Sequence, residues 1–474
     1  MQVSFIRYQF HIGYSVPIKF LLWLQFTIRM VCYRSQYITS CGTSAATKSL
    51  VLLGDEVYQQ NVYQDERPFV SSRKGILING QFPAPTIYCV TNDNVIVNVI
   101  NKLNEPFLIT WPHGKTACWG QTALSHQMQM KDQIGSYSYF PSTNMHKAAG
   151  AFGALNIQAR AVIFVPYLKP VEEFTVLART LDSGMKLPMA MVCSLTEVLP
   201  ERLLLQSELY MFRVLNVALT TSVNFRIQGH TLTLVETEGS HTLQEAYESF
   251  DLHVGQSASF LVKLHAPVKD YFIACWSYLS DSLFNETCQN NQNLTANAAR
   301  PNPQGSYHYG TIPVTRTIVF ANSKVNINGK LRYAVNQVSY VNPSTPLKIA
   351  DFYIISGVFS PNSIKDTPPS FDLIYGVSVL TFNLHDYVEF IFQNNENTIQ
   401  SWHLDGSDFW TVGFGSGVWN STLRKKFYNL NDSTTRHTVQ CNIGFFGQQG
   451  NVESEVYKLA KAIPGTRVVS SSLE

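Results

Sequence analysis

The chain has 474 residues, of which 45% are hydrophobic and 14% charged, enough apolar material to fill the cores of about three domains. Its 35 Lys and Arg residues against 33 Asp and Glu residues give a formal net charge of +2. No basic stripe accompanies this balance, so nucleic acid is not a predicted partner.

The cysteines and glycosylation sequons favour a secreted protein. The eight cysteines contain no C-x-x-C pair, which excludes a zinc ribbon and a thioredoxin-type redox motif. Cys275 and Cys288 flank a loop and are one candidate disulfide, although other pairings stay open. The N-x-S/T sequons predict N-glycosylation at Asn285, Asn293, Asn420 and Asn431. We therefore expect an extracellular glycoprotein with one or two disulfides.

An apolar run at residues 20–28, bounded by Lys19 and Arg29, has the length of a signal-peptide core. It is too short for a membrane-spanning helix. The run starts late and lacks a clean cleavage site, so a working signal and a degraded one both stay open. No apolar tail at the carboxyl end encodes a GPI anchor, and no transmembrane segment is predicted.

Residues 1–70 show no convincing alternation and stay unassigned apart from this signal region. From residue 71 the pattern is that of short strands separated by turns. Val95, Val97 and Val99 alternate with polar neighbours, as a half-buried strand requires. The strands predicted for a first domain, 71–165, are 76–78, 94–100, 136–140 and 153–157.

Two more blocks repeat this style. A second domain is predicted at 166–284, a linker rich in Asn, Gln and Pro at 285–310, and a third domain at 311–440. The further predicted strands are 174–178, 212–215, 223–227, 232–235, 259–264, 271–276, 317–321, 331–335, 377–382, 388–393 and 409–412. Residues 441–474 form a divergent tail, in which 453–463 fits a helical face. The fold class is all-β, built of sandwiches or barrels.

Several segments resemble the plant multicopper oxidase family, and in particular its ascorbate-oxidase-like, pollen-specific and skewed-growth branch. The segments that carry the resemblance are ILINGQFPAP (76–85), TNDN (91–94), KDQIGSY (131–137), YFPS (139–142), HKAAG (146–150) and RPNPQGSYHYG (300–310). The resemblance implies three tandem cupredoxin-like Greek-key β-sandwiches. It also implies that the first is shortened near 114–130 and the third is incomplete at its C-terminal end, which would leave a sheet edge unpaired.

Active members of that family bind copper through four His-x-His segments, one of which encloses a ligating cysteine. The 12 histidines of this chain include no His-x-His. The first segment resembles 110–114, where Thr110 replaces the first ligand and Pro112 displaces His113. The second resembles 139–142, with both ligands replaced. Because imidazole and thiolate are the donors that copper sites need, these replacements argue against a working centre.

The third segment resembles 400–406, with Gln400 and Asp405 in place of histidines and His403 retained. The fourth would follow Gln440, where the chain reads Cys441 and then diverges. His403 and His113 are therefore the candidate vestigial metal ligands; hydrogen bonding and a surface loop, respectively, are the simpler interpretations.

Other residues have plainer interpretations. His126 lies with His113 near Cys118, a combination that could hold a metal but is more typical of a surface loop. His146 is interpreted as structural and Cys441 as a free cysteine. The aromatic residues that could stack on a sugar but are more typical of core packing are Trp402, Phe409, Trp410 and Trp419.

Together with the missing ligands, the resemblance implies a non-catalytic, secreted or cell-wall protein that binds a wall polymer or wall protein, with a role in pollen or cell expansion. No cofactor is expected, and no catalytic residue is assigned. The alternative is a copper-dependent oxidoreductase of the ascorbate oxidase or laccase type, which passes electrons to dioxygen and keeps copper. A third interpretation is a chain too incomplete to fold.

Overall fold

A computed structural model describes most of the chain from residue 45 onward. The described residues are 9–11, 45–64, 67–104, 107, 109–111, 124–130, 134–141, 146–160, 163–181, 190–195, 208–264, 271–277, 294–296, 309–341, 343, 345, 347–370, 372–377, 379–383, 386–396, 399–404, 408–441, 453–459 and 467–469. They fall into two compact units, Met1–Ser306 and Tyr307–Glu474. The predicted signal region at 20–28 lies outside the described residues.

The first β-sandwich of unit 1 contains strands β2 to β9 and a short helix. These elements are β2 (Ala45–Gln64), β3 (Arg67–Ile78), β4 (Ile87–Val90), β5 (Asn94–Asn101), β6 (Ile109–Thr110), β7 (Leu124–Gln129), β8 (Gly135–Pro141), α1 (His146–Ala149) and β9 (Gly153–Gln158). They form two four-stranded sheets, ordered β3-β2-β5-β7 and β4-β9-β8-β6. Strand β2 lies in the segment that the sequence left unassigned, where it pairs with both β3 and β5.

Both sheets contribute to one core. Val95, Val97 and Val99 on β5 are buried with polar neighbours between them, which confirms the predicted alternation. They pack in one cluster with Trp111 and with Tyr139 from the second sheet. Each fully buried apolar side chain of this kind stabilises the fold by about 1.5–3 kcal/mol.

The second sandwich of unit 1 is formed by β1 and by β10 to β19. These strands are β1 (Gln9–His11), β10 (Glu172–Leu181), β11 (Ala190–Leu195), β12 (Leu209–Asn216), β13 (Val223–Ile227), β14 (Leu232–Thr237), β15 (Ser240–His241), β16 (Ala246–Tyr247), β17 (Phe250–Leu252), β18 (Ser257–Lys263) and β19 (Phe272–Ser277). One sheet runs β11-β10-β12-β18-β14-β15 with β16 beside β14, and the other runs β1-β19-β13-β17. Phe212, Phe225 and Phe260 lie in their shared core.

Unit 2 contains β20 to β31 and is the third sandwich-like body. Its elements are a 3-10 helix (Tyr309–Thr311), β20 (Arg316–Ile327), β21 (Lys330–Val335), β22 (Val338–Tyr340), α2 (Leu347–Phe352), β23 (Ile374–Gly376), β24 (Val379–Thr381), β25 (Val388–Asn394), β26 (Gln400–His403), β27 (Phe409–Ser416), α3 (Ser421–Arg424), a second 3-10 helix (Lys425–Phe427), β28 (Thr435–Arg436), β29 (Thr438–Cys441), β30 (Glu453–Leu459) and β31 (Arg467–Val469). The main sheet runs β23-β22-β21-β20-β25-β30-β27-β28.

Strand β25 is buried on both faces of this sheet. Val388, Phe390 and Phe392 enter one core cluster, whereas Ile391 enters another on the opposite face. The period of two along a strand puts alternate residues on opposite faces, so a continuous apolar run marks a central strand. The two small pairings β26–β29 and β24–β31 complete the described strands of the unit.

One expectation about the C-terminal region is wrong. Residues 453–459 form strand β30 rather than part of a helix, and β30 pairs with both β25 and β27. Val456 lies opposite Ile391 on one side and Gly413 on the other. Two strand edges offer hydrogen bonds to every backbone group of the segment, and this tertiary pairing overrides a weak helical pattern.

No helix among the described residues is long and apolar enough to cross a membrane.

Candidate functional site

Strand pairing places the first two copper-type segments side by side. Thr110 on β6 lies opposite Phe140 on β8, and Ile109 lies opposite Pro141. The next residue, Trp111, is 1% exposed, and its ring centroid lies 5.4 Å from that of Tyr139. At these positions the described chain therefore presents a hydroxyl, packed aromatic rings and a proline.

Tyr139 is held in place by both hydrogen bonding and a glycine. Its hydroxyl donates to the carbonyl oxygen of Pro85 over 2.7 Å. A Cβ on Gly153 would lie 2.4 Å from that hydroxyl, so only glycine fits beside the ring. Complete burial raises the pKa of Tyr139 above its usual value, so the phenol stays protonated and acts as a donor.

The third segment and the start of the fourth also come together. Strand β26 pairs with β29, which sets Gln400 opposite Cys441 and His403 opposite Thr438. Between them, Trp402 stacks on Phe392 with 4.5 Å between ring centroids.

Trp402 also stacks on Phe320, and Phe409 and Trp410 are buried, so core packing is confirmed for these three aromatic residues. Trp419 is half-buried and packs at the margin of the second cluster of unit 2.

His403 has a neighbour that its sequence context did not indicate. The Nδ1 atoms of His403 and His437 lie 2.6 Å and 2.9 Å from the same hydroxyl, Oγ1 of Thr438. Their ring centroids are 5.2 Å apart at an interplanar angle of 78°. His403 is exposed, whereas His437 is 4% exposed. The two rings therefore face the same hydroxyl through their Nδ1 atoms.

Cys441 is a free cysteine with no exposed surface, as the sequence predicted. Its Sγ donates to the carbonyl oxygen of Phe392 over 3.4 Å, and the side chain belongs to the apolar core of unit 2. A blue copper site needs a thiolate with two imidazoles around it. A thiol embedded among aliphatic and aromatic side chains does not supply that donor set.

The described residues at the family's ligand positions do not fit copper. Thr110, Phe140 and Gln400 stand where imidazoles are needed, and His403 shares its Nδ1 partner with His437. Within the described ranges, no group of three or more His, Cys, Asp and Glu side chains is placed to hold a metal ion. His113, Asp405 and Cys118 lie outside those ranges.

The remaining predicted residues are distributed over both units. His146 is buried and stacks on Phe107 with 5.3 Å between centroids. The surface-loop interpretation is wrong for His126, which lies on strand β7 opposite Val97. Cys275 is disulfide-bonded, but Cys288 lies outside the described residues, so their pairing stays a prediction. Asn420 and Asn431 are exposed. Asn285 and Asn293 are not described.

Family models described as "Multicopper oxidase" match residues 60–162, 194–301 and 344–445 of the chain. An L-ascorbate oxidase homolog of Brassica napus is 38% identical over 85% of this chain and 85% of its own length. The chain belongs to the multicopper oxidase family. Its three β-rich bodies are therefore the cupredoxin-like domains of that family, as the resemblance implied.

Two further comparisons agree. The monocopper oxidase-like protein SKS2 of Arabidopsis thaliana is 34% identical over 80% of this chain and 77% of its own length. The crystal structure of a laccase from Botrytis aclada superposes with a TM-score of 0.62 at 16% identity, covering 91% of this chain and 86% of that one. At that identity the likeness concerns the fold alone.

Proposed function

We propose that this chain is a non-catalytic member of the multicopper oxidase family that binds a cell-wall polymer or a wall protein outside the cell. Its role would lie in pollen or in cell expansion. The protein keeps the cupredoxin scaffold and uses its surfaces, rather than a redox centre, to act.

One observation carries the proposal: the described positions that resemble the family's copper segments hold side chains engaged in packing and hydrogen bonds. In the first domain, Thr110 and Phe140 occupy two ligand positions opposite each other, and the adjoining Trp111 and Tyr139 pack on each other. In the third domain, His403 and His437 both contact the hydroxyl of Thr438, and Cys441 is fully buried in the core. Rebuilding a copper centre would require the loss of these contacts.

The names of similar proteins bear on the choice between a binding role and an oxidase. The chain is similar to proteins named "L-ascorbate oxidase homolog" and "monocopper oxidase-like", at 33–38% identity, and to L-ascorbate oxidases at 24–25%. Those names leave the alternative of a copper-dependent oxidoreductase that reduces dioxygen. Because the described donor set does not suit copper, the binding role is the better supported of the two.

A reconstitution experiment tests the proposal. The purified chain is incubated with copper, freed of excess metal and analysed for bound copper, thiolate-to-copper absorption and oxygen consumption with ascorbate and phenolic donors. A laccase carried through the same steps is the positive control. We expect substoichiometric copper, no blue band and no turnover. A stoichiometric, blue and oxygen-consuming preparation would establish the oxidase alternative instead.

The binding half of the proposal has its own assay. Folded, copper-free protein is mixed with isolated plant cell-wall material and sedimented, and a fluorescent fusion is followed in pollen tubes and expanding cells. We expect retention by the wall fraction and signal in the wall. Quantitative recovery in the supernatant together with intracellular signal would contradict it.

A further inference from the structure

The segment that joins β27 to β28 carries a basic and aromatic surface on unit 2. Trp419 is half-buried, Lys425 has a side chain that is 46% exposed, and Phe427 is 81% exposed. The Lys425 ammonium lies 5.9 Å from the centre of the Trp419 ring. Lys426, also exposed, has no ion pair among the described residues. We call Trp419, Lys425, Lys426 and Phe427 the lysine–tryptophan surface.

A buried carboxylate lies beneath this surface. Glu389 on β25 has no exposed area, and its Oε2 lies 3.4 Å from Nζ of Lys425 and accepts a 3.0 Å hydrogen bond from Thr317. The same carboxylate hydrogen-bonds with the Tyr428 hydroxyl, so the partners of Glu389 lie within the chain and its charge offsets that of Lys425.

The aromatic ring of Trp419 is held in a fixed orientation. Its indole Nε1 donates to the Tyr428 hydroxyl over 2.9 Å, and both residues pack at the margin of the cluster around Trp410. A ring fixed in this way loses little conformational entropy when a ligand stacks on it. The surface thus combines an oriented π face with two ammonium groups.

We propose that the lysine–tryptophan surface binds a carboxylated polysaccharide, a polymer of uronic acids. Sugar rings stack on the aromatic faces of Trp419 and Phe427, while their carboxylates pair with Lys425 and Lys426. Charge complementarity selects the acidic polymer, because Glu389 offsets only one of the two lysines and Lys426 forms no ion pair within the described part of the chain. A neutral glucan would stack on the ring but would provide no negative charge to pair with Lys426.

This inference rests on the proposed wall-binding function and names its ligand class. The test is titration calorimetry of the full chain with an oligogalacturonate, and in parallel with a cello-oligosaccharide and with heparin. Lys426→Gln and Phe427→Ala are surface changes that leave the core intact. We expect each to weaken oligogalacturonate binding about threefold or more, and binding to weaken as salt is raised.

Matched controls lie elsewhere on the same unit. Lys330 is exposed at the start of β21, and Tyr353 is 70% exposed, so Lys330→Gln and Tyr353→Ala remove an exposed lysine and an exposed aromatic ring outside the lysine–tryptophan surface. Binding should be unchanged in both. Equal losses in test and control variants, equal affinity for the neutral oligosaccharide, or heparin binding insensitive to Phe427→Ala would each overturn the site.

The inference can fail separately from the function on which it rests. Retention of the chain by isolated wall material, with no binding of oligogalacturonate and no effect of Lys426→Gln, would leave the wall-binding proposal standing and refute this site. Failure to bind wall material at all would refute both.

Discussion

Arg213 and Ser136 join the two domains of unit 1: Nη1 of Arg213 on β12 donates to Oγ of Ser136 on β8 over 3.0 Å. The guanidinium is 2% exposed and forms ion pairs with Glu173 at 2.7 Å and with Glu236 at 3.7 Å. Glu236 is itself 1% exposed. The two carboxylates raise the pKa of Arg213 despite its burial, so the cation is permanent and offsets their charge.

Replacing Arg213 with methionine should therefore destabilise the protein strongly. The variant keeps the length of the side chain but leaves Glu236 as an uncompensated buried charge, which costs about 3–5 kcal/mol. Urea unfolding measures the difference. The double variant Arg213→Met, Glu236→Gln removes that charge and should recover a large part of the loss. Equal instability of the single and double variants would show that the ion pair contributes little.

Gly239 should tolerate no side chain, whereas Gly329 should tolerate one at modest cost. Both have positive φ, +85° and +79°, so both share the backbone strain of an L-residue. A Cβ on Gly239 would lie 2.7 Å from the carbonyl oxygen of Ile134, whereas nothing lies within 4 Å of one on Gly329. We expect Gly329→Ala to cost about 1 kcal/mol and Gly239→Ala at least about 2 kcal/mol more.

Thermal and urea unfolding of the two alanine variants test this difference directly. Because backbone strain is common to both, the gap between them reports the steric contact alone. Similar stability of the two variants would contradict the close approach at Gly239.

Strand β30 should be required for the stability of unit 2. Val456 pairs on both sides, so proline there removes a backbone donor from the centre of a sheet. Val468 on β31 is a matched control, because among the described strands β31 pairs with β24 alone. We expect Val456→Pro to cost about 3 kcal/mol or more, and Val468→Pro clearly less. Limited proteolysis and urea unfolding measure both, and equal effects would argue against a central β30.

The strands that alternate cleanly could be predicted from the sequence, whereas those decided by distant partners could not. Val95 to Val99 carry their own period of two, and the structure buries them accordingly. Residues 453–459 carry no such signal, because their conformation is set by two strand edges contributed by residues far away in the chain. Local pattern is a weak guide wherever tertiary pairing decides.

The candidate site likewise has features that the sequence predicts and features that only the tertiary structure shows. Retention of His403 and replacement of its neighbours could be seen in the sequence, since they depend only on residue identity. Its relation to His437 could not, because the two residues are 34 positions apart and meet through the register of β26 against β29. Only the strand pairing of His403 with Thr438 shows that one hydroxyl lies within hydrogen-bond distance of both imidazole rings.

Thr438→Val should loosen both imidazoles at once. The hydroxyl is buried and lies against Nδ1 of His403 and of buried His437, so its loss leaves a ring nitrogen without a partner, at about 1–3 kcal/mol. Thr91 is an equally buried threonine whose Oγ1 has no hydrogen-bond partner. Thr91→Val should therefore be nearly neutral.

Two measurements check this pair of variants. Urea unfolding gives the free-energy differences, and imidazole nitrogen chemical shifts report the tautomers of His403 and His437. We expect the shifts to change in Thr438→Val and to stay as in the parent in Thr91→Val. Unchanged tautomers in both variants would show that Thr438 does not orient the rings.

Asn420 and Asn431 should differ in when they can be glycosylated. Asn420 and Thr422 of the first sequon are both exposed in the folded protein. In the second sequon, Asn431 is exposed, but the acceptor residue Ser433 is 4% exposed and its Oγ donates to the carbonyl oxygen of Thr411. An oligosaccharyltransferase must bind the hydroxyl residue together with the asparagine, so Asn431 is open to it only before unit 2 folds.

Site-resolved mass spectrometry distinguishes the two sequons. Folded, unglycosylated protein treated with purified oligosaccharyltransferase should acquire glycan at Asn420 and not at Asn431, whereas protein made in plant cells should carry both. Asn420→Gln removes the first signal and serves as the control. Ser433→Thr tests whether burial rather than the weaker serine acceptor limits Asn431, because threonine is the better acceptor but stays buried. Modification of Asn431 in the folded variant would show that burial of Ser433 does not control access.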